Sequence, residues 1–306
     1  MMGTTAFFRR FTVYFQLGKF KIVELWLGFF VGVTLLGERA VHEPRAVAIL
    51  ALILIAGIAV IAATCSLDDI VGVRDGVDQA NHMGGTRWGV DKPILTGHLA
   101  EQSALRFVQF LGAIGVLAYG AALALAWPLV PSLVVTMTAL MLIALNYSYG
   151  LKLSYRGAGE LVIFAGGAGT VLVPYALVAK TFTTPLLLNA ALVGALHAQV
   201  VMFSNTKDAA GDRATGRMTI AARLSKRGNK IYIASVFIGV WTSTLWALLT
   251  HALDLRYVIA LAPVWALQAY QLRAGLGRDD WLLARLVGFR ALRLGIVSLS
   301  IVNLTY

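Results

Sequence analysis

Residues 46–67 form a run of twenty-two positions without a charged side chain. A helix needs about 20 predominantly apolar residues to cross the hydrocarbon core of a bilayer. In that solvent every backbone N–H and C=O must be paired within the segment, so a single run of this kind has to be helical. Eight further runs obey the same rule, at roughly 20–38, 103–127, 129–150, 160–180, 185–206, 230–252, 255–275 and 282–304. Pro128 and Pro131 mark one connection, and residues 181–185 another. Apolar residues make up 58% of the chain and charged ones 13%, against about 25% charged in a soluble domain. The mean hydropathy of +0.76 agrees. The expected fold is an all-α integral membrane protein of about nine transmembrane helices, one domain over residues 1–306.

The net charge of +11 does not point to nucleic acid, because the basic residues are scattered through the connections between apolar runs. Arg9, Arg10, Lys19 and Lys21 precede the first helix, and Arg74, Arg87, Lys92 and Arg106 flank the second connection. Lys152 and Arg156 lie in the fourth, and Lys207, Arg213, Arg217, Arg223, Lys226, Arg227 and Lys230 in the sixth. Arg273 and Arg278 lie in the eighth. The alternate connections hold Arg39, Arg45, Lys180 and Arg256 alone. The positive-inside rule then puts the first set, with the N-terminus, in the cytoplasm, and a plasma-membrane location is expected. No short apolar core with a small-residue cleavage site opens the chain, so no signal peptide is expected. The one cysteine, Cys65, excludes an internal disulfide and reads as packing.

The acidic residues are few and clustered. Asp68, Asp69, Asp75 and Asp78 fall within eleven positions, directly after the run 46–67. Carboxylates this close repel one another unless a cation lies between them, and Mg²⁺ prefers carboxylate and phosphate oxygens. The plainer reading is a solvated acidic patch at the interface. On a continuous helix Asp68 and Asp75 would share a face. A second set, Asn205, Asp208 and Asp212, falls at i, i+3 and i+7, one helical stripe, with Lys207, Arg213 and Arg217 beside it. Both sets sit on the side expected to be cytoplasmic, in connections 68–102 and 207–229 that are too polar to span and too long for turns. Long connections of this kind tend to be lids or binding loops. Two acidic stripes with Lys and Arg between them match the needs of a metal-bridged diphosphate.

Other residues carry two readings each. Tyr147, Tyr149, Phe164 and Phe203 could offer ring faces to a carbocation, although interfacial tyrosines are also plain membrane anchors. Glu24 is an intramembrane carboxylate, a functional candidate by default or a partner of Lys21. Arg285 reads as snorkelling to the interface, whereas Arg290 and Arg293 lie deeper and are the candidates to face a cavity. Gly166, Gly167 and Gly169 read as close helix packing rather than phosphate binding. His82 and His98 lack metal-ligand spacing, so no zinc site is expected.

These motifs resemble those of the UbiA superfamily of intramembrane prenyltransferases, in order and over nearly the whole chain. Asp68-Asp69-x-x-Gly72 with Gly76-x-Asp78 is similar to the first Asp-rich motif, and Lys92-Pro93-Ile-Leu-Thr-Gly97 to the end of the same loop. Tyr147-Ser-Tyr149-Gly-Leu-Lys152 and Tyr155-Arg156-Gly157-Ala-Gly159-Glu160 are similar to the segment joining helices four and five. Asn205-Thr-Lys207-Asp208-x-x-x-Asp212-x-x-x-Gly216-x-x-Thr219 is the most specific match, closest to menaquinone-pathway members. The run from Lys19 to Leu25 is similar to the first helix of heme O synthases.

The resemblance implies nine helices around a central cavity, with the two Asp-rich motifs facing each other at a cytoplasmic mouth. It implies Mg²⁺ held by Asp68, Asp69, Asp75, Asp78, Asp208 and Asp212. An isoprenyl diphosphate, geranyl to geranylgeranyl or longer, would be contacted by Lys92, Lys152, Arg156 and Lys207. Asn205, Tyr149, Tyr155 and Arg290 complete the expected binding set, and Asp69, Asp208, Asp212 and Tyr147 the catalytic one. The allylic cation would pass to a small aromatic acceptor. Two departures stand out: Asp68 replaces the usual Asn, and Gly72, which cannot ligate, replaces the next Asp. Asp75 or Asp78 would have to compensate. Asp-Asp-x-x-Gly also resembles the opening of ionising terpene synthases, which keeps a terpene cyclase open. A cation transporter is the non-enzymatic alternative, against which stands the placing of both clusters at one surface rather than at the midplane.

Overall fold

The computed structural model describes residues 11–38, 42–82 and 92–305. Arg9, Arg10, Arg39 and Arg87 of the charge count lie outside the described residues. Among the described residues the regular structure is helical throughout. Each expected apolar run contains a helix. These are α1 (Glu24–Thr34), α2 (Pro44–Arg74), a short α3 (Val77–His82), α4 (Glu101–Leu125), α5 (Pro131–Leu145) and α6 (Gly159–Ala179). They are followed by α7 (Thr184–Ala214), a short α8 (Ile220–Arg223), α9 (Lys226–Leu249), α10 (Arg256–Leu272) and α11 (Trp281–Leu304). Proline opens α2 and α5, where the missing N–H costs no hydrogen bond. Thr183 caps α7, Ser225 caps α9 and Asp280 caps α11 through their side chains.

Five of these helices, α2, α4, α6, α7 and α9, are long and apolar enough to cross a bilayer, and α1 and α5 are shorter apolar helices. Leu117, Leu255 and Ile259 are more than 70% exposed on outward faces, which suits contact with hydrocarbon rather than water. The protein is integral to the membrane. α7 is the central helix: 72% of its apolar window is buried. It packs on α6 and α11, and α1 closes against both of those. α2 pairs with α4 on the far side of α6.

Without a hydrophobic drive between helices in lipid, small residues set their approach. A Cβ on Gly194 of α7 would stand 2.6 Å from the Phe164 carbonyl oxygen of α6. One on Gly32 of α1 would stand 2.3 Å from the Val171 carbonyl oxygen. Gly167 makes room for the His197 ring, as expected of a packing glycine, but a Cβ on Gly166 would meet nothing.

The sequence reading ends two helices too early. α2 continues past 67 to Arg74, and α7 past 206 to Ala214. Each has 31 residues, about 46 Å, against a hydrocarbon core of about 30 Å. Charge stops a span, not a helix, so the last turns leave the core still helical and carry Asp68, Asp69, Asp208 and Asp212.

Because the α6–α7 contact is backbone to backbone, Gly194→Val should cost about 1–3 kcal/mol by overpacking. In detergent, its thermal midpoint should fall well below that of Gly112→Val, a site with open space around it. Equal midpoints would contradict this packing.

Candidate functional site

α2 ends at Arg74, Asp75 caps it, and Gly76 turns the chain in the left-handed region at φ +76°. That conformation suits glycine, which has no Cβ to clash. α3 then folds back on α2, which takes Asp78 off the line of the α2 helix. Asp78 instead lies directly over Gly72: a Cβ there would meet the Asp78 carboxylate at 2.7–2.9 Å. The glycine that breaks the motif is therefore the space its Asp78 carboxylate fills.

α3 also packs on α7. A Cβ on Gly211 would stand 2.0 Å from Asn81 Oδ1, and Asn81 Nδ2 donates to Asp212 Oδ1 at 2.8 Å. Thr219 Oγ1 donates to the other oxygen at 3.3 Å. The two acidic segments, far apart in sequence, thus meet across one cavity of about 320 Å³. Asp68, Asp78, Asn205, Asp208, Asp212 and Tyr147 line it, with Lys92 and Lys207 from the expected set.

The charges interlock. Asp69 is buried and lies 3.1 Å from Lys19 Nζ and 3.2 Å from Lys92 Nζ. Lys92 also reaches Asp78 Oδ1 at 2.5 Å. Asp68 has Lys19 at 3.6 Å and Arg217 at 3.8 Å, and accepts from Ser148 Oγ at 2.5 Å. Burial pushes the Asp78 carboxyl up to about 6, against the pull of Lys92. Burial opposes the charges on Lys19 and Lys92, but the neighbouring negative groups together, Asp69 foremost, outweigh it and hold the ammonium groups above their ordinary range. The Arg217 guanidinium lies over the rings of Tyr147 and Tyr155, at 5.9 and 5.3 Å from their centroids. Burial pushes the Tyr147 hydroxyl up to about 12, so it stays neutral.

Not every expected residue comes to the cavity. Asp69 is enclosed behind its lysines and does not line the cavity. Asp75 pairs with Lys152 at 2.6 Å, and neither lines the cavity. Tyr149 and Arg156 are exposed, and Tyr155 stands behind Arg217. Arg290 is exposed, whereas Arg285, expected to snorkel, lines the cavity beside Phe289. Phe203 is fully buried against Phe237, and Phe164 packs under Gly194. Glu24 pairs with Arg293 of α11, not with Lys21. Lys19, Asn81, Ser148 and Arg285 were missed as site residues. Lys19 stands in a quoted motif, but its reach to Asp68 and Asp69 depends on a left-handed turn at φ 52°.

Among the described residues no three His, Cys, Asp or Glu side chains converge as a ready metal cage. What converges is a mouth of alternating carboxylates and cations over an apolar interior, in a bundle of membrane helices. Such a mouth pairs a charged rim with an apolar floor. The family model of the UbiA prenyltransferase family matches residues 25–292, and the chain belongs to that family.

Solved structures share the fold at low identity. Digeranylgeranylglyceryl phosphate synthase is 13% identical with a TM-score of 0.65, over 97% of this chain and 99% of that one. A UbiA homolog from Archaeoglobus fulgidus bound to DMAPP and Mg²⁺ is 14% identical with a TM-score of 0.58, over 94% and 99%. The same homolog bound to GPP and Mg²⁺ is 12% identical with a TM-score of 0.60, over 96% and 100%. A search of curated proteins gives no match.

The Asn81–Asp212 contact depends on Gly211. Gly211→Val should push α3 off α7 and speed amide hydrogen exchange of residues 77–82 in membrane vesicles by about tenfold, the effect of a local opening made ~1.4 kcal/mol easier. Unchanged exchange would remove this coupling of the two segments.

Proposed function

We propose that this protein is an Mg²⁺-dependent prenyltransferase that ionises an allylic isoprenyl diphosphate and passes the prenyl group to a small aromatic acceptor. The observation that carries the reading is the meeting of Asp68 and Asp78 with Asp208 and Asp212 across one cavity, with Lys19, Lys92, Lys207 and Arg217 among its lining. In this reading residues 1–306 form one unit of nine membrane-spanning helices in the plasma membrane. The N-terminus and the mouth, 68–102 and 207–229, face the cytoplasm.

The residues fit Mg²⁺. Asp78 Oδ2 is buried and accepts no hydrogen bond, and Asp208 and Asp212 stand one helical turn apart facing the cavity. Mg²⁺ is usually held by one or two carboxylates together with substrate phosphates, so a full protein cage is not required. Asp208 and Asp212 would hold one ion and Asp78 with Asp68 another. When bound, the metal neutralises phosphate oxygens and makes diphosphate a better leaving group.

The chain's own groups do the rest. Lys92, Lys207 and Arg217 clamp the diphosphate charge. Asp69 acts as a positioning residue that fixes Lys19 and Lys92. Tyr147 presents a neutral ring on the cavity wall beside Arg217, where it can face the allylic cation. Ile61, Ile163 and Val201 line the interior and keep water from the cation.

Purified protein with Mg²⁺ and geranyl, farnesyl or geranylgeranyl diphosphate should consume diphosphate when phenolic or quinonoid acids are supplied. A cyclic hydrocarbon made without acceptor would establish the cyclase instead, and cation flux in liposomes without turnover would establish a transporter. Asp208→Ala should lower turnover by more than about 100-fold, beyond the range for an outer-shell partner. The exchange of Gly72 and Asp78 is a separate check. Asp78→Ala should lose Mg²⁺-dependent turnover and Gly72→Asp in that background should restore a large part of it; no restoration would separate Asp78 from the role of the missing ligand.

A further inference from the structure

Glu160 closes the segment that joins α5 to α6 and stands in the first turn of α6, where the free N–H groups of a helix favour a carboxylate. It is buried and does not line the cavity. Its Oε1 accepts from Asn205 Nδ2 of α7 at 2.8 Å. Its Oε2 is buried and has no hydrogen-bond partner among the described residues. Asn205 opens the stripe Asn205, Asp208, Asp212, and all three line the cavity. An amide carries its oxygen on one side and its NH₂ on the other. The Asn205 NH₂ is bound to Glu160, behind the cavity wall, so Oδ1 is the atom turned to the cavity. That oxygen carries no hydrogen bond among the described residues.

Resting on the metal-bound diphosphate reading above, we propose that Glu160 is a positioning residue. It holds the Asn205 amide with its oxygen toward the cavity and makes that oxygen a third ligand, with Asp208 and Asp212, for the metal of the second acidic segment. Mg²⁺ takes oxygen ligands in a strict octahedral geometry, so a ligand that wanders is a poor one. An Asn205 amide turned over would aim two N–H donors at the cation and set its oxygen against the Glu160 carboxylate. Both contacts oppose the turn. A hydrogen bond to a carboxylate is also about twice as strong as one between neutral groups, so the orientation is set before the ion arrives. Packing alone is a weak account of the pair, because a buried carboxylate oxygen left without a partner is costly. Glu160 does not reach the cavity itself, so its influence passes through Asn205.

The test reads metal binding rather than turnover. Purified protein in lipid nanodiscs, with geranyl thiodiphosphate bound, would be titrated with Mn²⁺ and the bound ion followed by electron paramagnetic resonance. The ion of interest is the one that Asp208→Ala loses. Glu160→Met should weaken its binding by about 10–100-fold, the range for an outer-shell partner. Glu160→Gln, whose amide oxygen still accepts from Asn205, should keep most of the affinity. Asn205→Asp offers an oxygen on both sides, so adding it to Glu160→Met should recover most of the lost binding. A fault in packing at residue 160 would not be cured by that change. Wild-type affinity in Glu160→Met, an equal loss in Glu160→Gln, or no recovery in the double variant would each overturn the proposal. A wild-type protein that binds no Mn²⁺ with the thiodiphosphate would overturn the diphosphate site itself.

Discussion

The buried carboxylate of Asp69 holds two ammonium groups, Lys19 and Lys92, and the mouth of this protein is assembled around that contact. A carboxylate out of water is costly unless paired. Pairing it brings together the segment before α1, the end of α2 and the connection after α3. Lys92 carries the pairing on to Asp78, and Lys19 carries it to Asp68. The result is a lattice of opposite charges in which Lys19, Lys92, Lys207 and Arg217 each pair with a carboxylate. A diphosphate entering such a lattice finds donors already oriented, so less of its binding energy is lost to ordering them.

Much of this was legible in the sequence, and the reason is the solvent. Lipid forces long apolar runs to be helices, so each expected run contains one. The stripe Asn205, Asp208, Asp212 was legible for a similar reason: it lies on one continuous helix, where spacing fixes the face. The first acidic segment was not legible in the same way. Its residues are split between two helices by the turn at Gly76, and spacing along the sequence does not predict faces across a turn. Asp78, beyond the turn, comes back over Gly72 to the cavity, while Asp75, at the cap of α2, pairs with Lys152. Arg285 and Arg290 show a related limit. Both lie on α11, but the face that meets the cavity is set by how α11 packs on α1 and α7, which no local pattern states.

Gly72 changes its meaning once the fold is known. In the sequence it is a missing ligand. In the structure it is the space into which the Asp78 carboxylate folds, and a side chain there would expel it. A carboxylate has been moved along the chain rather than lost. The same reasoning separates the glycines of α6: Gly167 admits a ring, whereas Gly166 faces open space at the cavity wall.

The central claim is that the two acidic segments together hold one metal-bound diphosphate. The most direct measurement replaces Mg²⁺ with Mn²⁺ and reads phosphorus coupling to the manganese by electron–nuclear double resonance, with a non-hydrolysable prenyl thiodiphosphate bound. Strong phosphorus coupling should appear in the wild-type protein and vanish in both Asp78→Ala and Asp208→Ala, since each would remove one wall of the site. Manganese bound without phosphorus coupling, or coupling that survives the loss of either aspartate, would contradict the account.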